Sequence, residues 1–220
     1  MYRWEITRAV LAQRVIATVR SDSYDRAAET AGTLLSAGFT SLEISLATPF
    51  GLEAVATLVR EVGDEAVIGA GAVLDAASAR LAVEAGARFL ASPVLDAEVV
   101  RTGHRYGVPV LPGVATPAEI VHALELGADA LKFFPAAGHR PGVLRDIRAE
   151  LPQAALVPSG DLAVDTVPEW IAAGAVACAP GPALAEGDRD AVAKRAEELL
   201  ARIADGEDGE EDEDGDEECR

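Results

Sequence analysis

The chain has 220 residues, half of them hydrophobic, which is enough to bury a large core in a single domain. Its formal net charge of -18 is unevenly spread: residues 205–220, DGEDGEEDEDGDEECR, hold eleven acids and one arginine, so residues 1–204 carry only -8. A mildly acidic body argues against non-specific nucleic-acid binding, which needs basic patches, and no apolar run approaches the ~20 residues of a membrane span.

The N-terminus, MYRWEITR, lacks the apolar stretch of a signal peptide, so the expected compartment is the cytoplasm. Two cysteines, Cys178 and Cys219, make no disulfide framework. From residue 14 onward one grammar repeats: a short β-branched run, a turn, then an amphipathic segment closed by Gly or Pro. The predicted strands are RVIATVR (14–20), SLEISL (41–46), AVIGAGAV (66–73), RFLASP (88–93), PVLPGV (109–114), ALKFFP (130–135), ALVPSG (155–160) and AVACAPG (175–181). Gly38, Gly86, Gly127 and Gly174 are placed to end the intervening helices. The like-charged tail has almost no apolar residue to offset its ordering entropy, and is expected to be disordered and to serve solubility.

Eight β–α units in about 200 residues fit a (β/α)₈ TIM barrel, an α/β fold, with the barrel over 1–204 and the acidic tail over 205–220. An open doubly wound sheet has the same alternation, but its strands are covered on both faces and apolar throughout. Here polar residues alternate along the strands. Glu43 and Ser45 share one face of SLEISL against Leu42, Ile44 and Leu46, and Lys132 and Phe134 share one face of ALKFFP against Leu131 and Phe133. Charges on one face point to a polar barrel interior.

Lys132 is unusual in kind as well as place. Of 19 basic residues only Lys132 and Lys194 are lysines, and Lys194 lies in an Arg/Glu-rich helical segment that accounts for it. An amine among apolar neighbours can lose its proton, whereas a guanidinium cannot. A neutral amine beside a carboxylate such as Glu43 is equipment for imine chemistry on a carbonyl: the amine adds, and the carboxylate shuttles protons. Arg20, ending strand 1, is a candidate anchor for a substrate carboxylate, or a solvated strand end. A buried structural ion pair is the other reading of Lys132 and Glu43, and the two residues alone leave both open.

Six motifs in order, VIATVR (15–20), AGFTSLEIS (37–45), IGAGAV (68–73), Ala91-Ser92-Pro93, LPGVATP (111–117) and LKFFP (131–135), together resemble the class I 2-keto-3-deoxy-6-phosphogluconate (KDPG) and 4-hydroxy-2-oxoglutarate (KHG) aldolases, including their 6-phosphogalactonate-specific relatives. The likeness covers roughly residues 10–202. It implies a Schiff-base lysine at Lys132, a general acid/base at Glu43 acting partly through a water, and cleavage of a 2-keto-4-hydroxy acid into pyruvate and an aldehyde. It also implies a homotrimer with no metal and no cofactor. His104, His122 and His139 are scattered, and the first two are expected on helix surfaces. Pro93 and Phe134 are expected to wall the pocket, with Arg20 anchoring the keto-acid end.

The departures are as informative. Ala72 stands where the family has a threonine, and Ala47 where some members have a carboxylate-binding arginine. The family's phosphate loops, TGG and GS, are Ser159-Gly160-Asp161 and Gly181-Pro182 here. Asp161 brings a negative charge to that end and Pro182 removes a donor; Arg140, ahead of the helix after strand 6, is a candidate compensating cation. A phosphorylated or unphosphorylated substrate, a family member that binds without turnover, and a phosphosugar isomerase on the same fold all remain open at this level.

Overall fold

The computed structural model describes residues 1–213, with side chains to Gly206, so of the segment expected to be a disordered tail (205–220) residues 214–220 lie outside the described residues, whereas 205–213 continue the last helix. The chain opens with helix α1 (Arg3–Leu11), then runs β1 (Ala17–Val19), α2 (Tyr24–Ser36), β2 (Ser41–Ser45), α3 (Gly51–Val62), β3 (Val67–Gly71), α4 (Ala76–Glu84) and β4 (Leu90–Ala91). It continues through α5 (Ala97–Arg105), β5 (Val110–Leu111), β6 (Gly113–Val114), α6 (Pro117–Glu125), β7 (Leu131–Phe133), α7 (Gly142–Glu150) and β8 (Leu156–Pro158). The last helices are α8 (Val167–Ala172) and α9 (Arg189–Glu213), preceded respectively by the 3-10 turns Val164–Thr166 and Gly181–Ala185.

All pairings are parallel: β1 through β5 form one run in sequence order and β6 through β8 another. β5 and β6 are one strand interrupted at Pro112, whose missing N–H breaks the ladder while its carbonyl accepts from the Lys132 N–H at 2.9 Å. The eighth strand, expected over 175–181, is not a continuous strand. It joins its neighbours through the bridges Ser159–Ala179 and Val15–Cys178, with Ala179 N–H donating to Pro158 and Cys178 N–H to Arg14. Its hydrogen bonds are divided between two neighbours, and Pro180 ends the run. Those bridges close the ring back to β1, so the fold is the expected (β/α)₈ barrel.

Strand parity sorts the core into two layers. Leu42, Ile44, Ile68, Leu131, Phe133 and Leu156 face outward under the helices, while Ile16, Val67, Phe89, Leu111 and Val157 fill the interior. Each such side chain removed from water contributes about 1.5–3 kcal/mol. One helix escaped the sequence reading: α1, where Ile6 and Val10, one turn apart, join the interior cluster and plug the barrel's N-terminal end. Arg3 pins that plug through an ion pair to Asp129 at 2.9 Å. Asp129 also holds His104 Nε2 at 3.1 Å, so His104 is a partly buried tie between α5 and the β7 approach rather than the expected surface residue.

The helix ends follow the sequence signals. Ser23, Asp75, Asp96 and Thr116 each accept a backbone N–H three residues on, and Thr116 with Glu119 forms a capping box behind Pro117. Gly38, Gly86, Gly127 and Gly174 have φ of +100°, +95°, +77° and +99°, the left-handed turn that lets each helix stop and the next strand begin. Among the described residues no helix is long and apolar enough to cross a membrane.

Candidate active site

The interior faces of β2 and β7 bring Glu43 and Lys132 together across the barrel. Lys132 Nζ donates to both carboxylate oxygens of Glu43, each at 2.8 Å, although 89 residues separate them in sequence. Both side chains are nearly sealed, 9% and 5% exposed. Two charges removed from water to this degree are held only by each other, and losing either partner would strand the remaining one.

The motif IGAGAV makes the room. Register pairs Glu43 with Gly69 and Ser45 with Gly71. A Cβ on Gly71 would collide with the Glu43 carboxylate, and one on Gly69 with the Phe89 ring. Without those two hydrogens-for-side-chains the carboxylate could not lie flat across β3 toward Lys132. On the other side, Gly113 pairs with Lys132, and any Cβ there would meet the Pro93 carbonyl, so Pro93 abuts the lysine's neighbouring strand.

Above the ion pair the site opens to the C-terminal rim. Phe134, two residues beyond Lys132 on the same face, is half-buried and lies over Gly160, where a Cβ would touch its ring at 2.7 Å. Ser159 is buried and faces inward in the same parity as Val157; its carbonyl accepts from Ala136 N–H at 2.8 Å. Gly160 has φ +92° and Gly181 φ +75°, and the two loops meet: a side chain at Gly181 would come 3.4 Å from the Asp161 nitrogen. Arg20 stands exposed at the end of β1. The next residue is tied down, with Ser21 N–H donating to the buried Thr48 hydroxyl at 3.1 Å.

The structure brings Glu43 and Lys132 into contact and sets Phe134, Ser159, Gly160 and Gly181 toward the rim, and it adds several residues that sequence reasoning did not single out. Gly71 and Thr48 are two. A third is Thr18, register partner of Glu43 on β1 and inward-facing by parity with Ile16. Its hydroxyl is buried and unpartnered; so is that of Ser41, two residues before Glu43. They are the two buried side-chain polar atoms without a hydrogen bond among the described residues, and both flank Glu43. Buried polar groups are normally satisfied, by water if not by protein. The signal in the sequence was a hydroxyl at an interior strand position.

Other reactive groups stand apart. Cys178 lies in the outer core, where burial pushes its thiol up to about 12 against a smaller opposing influence of Arg14. Among the described residues no three His, Cys, Asp or Glu side chains are grouped so as to hold a metal ion. His139 is exposed, with its ring 5.2 Å from that of Phe133.

Residues 6–198 match the family model described as KDPG and KHG aldolase. Among curated proteins, the 2-dehydro-3-deoxy-6-phosphogalactonate aldolase of Escherichia coli is 35% identical over 161 residues, 73% of this chain and 78% of that protein. A KDPG aldolase from Legionella pneumophila, solved with pyruvate captured as a covalent carbinolamine intermediate, superposes with a TM-score of 0.75 at 27% identity, covering 92% of this chain and 96% of that one. A chain of a cube-shaped protein cage designed by fusing symmetric oligomeric domains gives a TM-score of 0.85 at 30% identity, over 91% of this chain and 76% of that one. A buried Lys–Glu pair at the heart of a (β/α)₈ barrel, the motif order and these likenesses agree, and the chain belongs to the KDPG and KHG aldolase family.

Proposed function

We propose that the protein cleaves a 2-keto-4-hydroxy acid into pyruvate and an aldehyde through an imine on Lys132. The observation that carries the reading is the closed Lys132–Glu43 contact, 2.8 Å to both oxygens, at an interior position reached from the C-terminal rim. The carbinolamine captured in the Legionella relative supports the same covalent chemistry here.

The steps follow from that geometry. As the substrate carbonyl approaches, the Lys132 ammonium passes a proton to Glu43 and the freed amine adds to C2. Glu43 returns the proton to the departing hydroxyl, and water leaves with formation of the iminium. The ionised Glu43 then takes the proton of the C4 hydroxyl. The C3–C4 bond breaks, its electron pair passes to the iminium as an enamine, and the aldehyde departs. Protonation at C3 and hydrolysis of the imine release pyruvate and restore the amine. Arg20 pairs with the keto-acid carboxylate at the rim, Pro93 and Phe134 form the apolar walls, and the Ser159–Gly160 and Gly181 loops receive the distal end. The lone hydroxyls of Thr18 and Ser41 hold water against Glu43, which keeps the carboxylate oriented when the substrate displaces it from Lys132.

Four large apolar side chains, Phe50, Leu74, Leu81 and Val94, are 47–66% exposed on or near the loops after β2, β3 and β4. Phe50 and Leu81 line one hollow. Such a surface suits burial between subunits, and the likeness to a chain in an assembly of symmetric oligomeric domains supports an oligomer, the homotrimer being its proposed form. No cofactor is needed for the imine route, and the reading places the protein in the cytoplasm on small 2-keto acids, within Entner–Doudoroff-type sugar-acid breakdown.

Pyruvate release from KDPG, its galactonate epimer, the corresponding unphosphorylated acids and 4-hydroxy-2-oxoglutarate, followed by lactate-dehydrogenase coupling, tests the reaction. Turnover of at least one, lost in Lys132→Ala, is expected. A protein that turns over none of them overturns the proposal. Sedimentation is expected to give three subunits, and a monomer would remove the trimer.

A further inference from the structure

Barrels commonly hold a substrate phosphate with backbone N–H groups of the loops after the seventh and eighth strands and the start of a short extra helix. In this chain a continuous line of contacts leads to that place. Lys132 is followed on its own face by Phe134, the Phe134 ring covers Gly160, and Gly160 precedes Asp161, which abuts Gly181. The loop that carries Asp161 is the place this line reaches from Lys132.

What stands there is poorly suited to a dianion. Asp161 is exposed, and its Oδ1 would lie 4.0 Å from a side chain at Gly181, so the carboxylate borders the gap between the two loops. It forms no ion pair or hydrogen bond among the described residues. Its φ of +48° keeps the left-handed turn that a glycine would fill without a side chain. The 3-10 turn of the following loop begins Gly181-Pro182, and Pro182 has no N–H to offer. Arg140, the nearest candidate for compensation in the sequence, is exposed on the loop before α7. Like charges brought together at a site with few donors are repelled, whereas a carboxylate accepts well from hydroxyls.

We infer that Asp161 converts the distal end of the site into a receptor for an uncharged, hydroxylated tail, so that the preferred substrate is a 2-keto-3-deoxy sugar acid without a terminal phosphate. The inference rests on the imine reading above and adds the substrate class to it. A tail hydroxyl donates to the Asp161 carboxylate, and the terminal phosphate of the corresponding ester is repelled by it.

The test compares kcat/KM for 2-keto-3-deoxygluconate and its 6-phosphate in the native protein, Asp161→Gly, Asp161→Asn and Arg140→Ala. The native protein is expected to favour the unphosphorylated acid by about tenfold or more, and both Asp161 variants to improve on the phosphate ester by about tenfold. Inorganic phosphate is expected to compete in Asp161→Gly and not in the native protein. A native preference for the ester, an unchanged ratio in both Asp161 variants, or a selective loss of the ester in Arg140→Ala overturns the inference. Pyruvate trapping at Lys132 separates the two levels, because pyruvate has no tail to reach Asp161. Trapping with a native preference for the ester defeats this inference alone; no trapping defeats the imine reading beneath it.

Discussion

The ion-pair layer and the rim above it are built in opposite ways. Lys132 and Glu43 lie on strands, buried, in a register that fixes both backbones, and each neighbouring contact has one solution: Gly71 under the carboxylate, Gly113 against Pro93. The rim is carried by loop residues: Asp161 and Arg20 are exposed, Gly181 is buried, and Asp161 and Gly181 have positive φ. Chemistry that every substrate needs is therefore placed where the fold tolerates little change, and discrimination among substrates where it tolerates much.

The sharpest way to break that contrast is at the amine. Lys132→Ala is expected to lower kcat by at least about 10⁴-fold and to abolish covalent trapping, while the rim stays intact. Leaving Glu43 buried alone should also cost about 3–5 kcal/mol of stability, measurable as a lower urea midpoint. Residual turnover within tenfold of native would deny the lysine its role.

Glu43→Gln keeps the shape and removes the proton acceptor. A loss of about 10²–10⁴ in kcat is expected with imine formation slowed but still detectable. Gly71→Ala probes the same layer from β3. Its methyl must displace the carboxylate, so turnover should fall toward that of Glu43→Gln although no catalytic group is changed; a fully active Gly71→Ala would show that Glu43 need not lie across β3.

Smaller effects separate the hydroxyls from the ionised pair. Thr18→Val, nearly equal in volume, is expected to lower kcat by about tenfold with little change in KM and to shift the pH profile, and Thr18→Ser to restore both. An identical profile for Thr18→Val would make the orphaned hydroxyl a packing feature only.

The smallest effect lies far from the site. Thr116→Ala removes the cap of α6 and should cost about 1 kcal/mol with activity unchanged. Its partner Glu119 is held below the usual carboxylate range, first by the Ala115 N–H and then by the Thr116 hydroxyl. A group lowered on folding stabilises the native state above its unfolded pKa and loses that contribution as pH falls through its folded one. The native protein should accordingly lose more stability than Glu119→Gln between neutral and strongly acidic pH in urea titrations.

The same contrast explains what was legible in the sequence. Strand positions obey a period of two, so the inward placement of Glu43, Ser45, Lys132 and Phe134 could be read directly, as could the four glycines that end helices. The eighth strand could not be drawn correctly because Pro180 and the division of its bonds between two neighbours leave bridges where a β-branched run predicts a ladder. α1 was missed because Arg3, Glu5 and Arg8 surround only two inward apolar residues, a pattern too short to stand out. Gly71 was visible as a motif but not as a space, since the side chain that fills it comes from another strand. Thr18 carries no charge and no spacing signature; only burial without a partner distinguishes it. For the loops, Asp161 and Pro182 stood out as departures from the family's loop motifs, yet the contact between Asp161 and Gly181 that gives them meaning joins residues of separate turns.

The central claim is that the Lys132 amine is a nucleophile, not half of a structural ion pair. Incubation with pyruvate and sodium borohydride, followed by intact-mass and peptide mass spectrometry, tests it most directly. A single reduced pyruvate adduct confined to the peptide containing Lys132, absent in Lys132→Ala and undiminished in Asp161→Gly, is the predicted result. A folded protein that gains no adduct, or gains it at Lys194, would contradict the account.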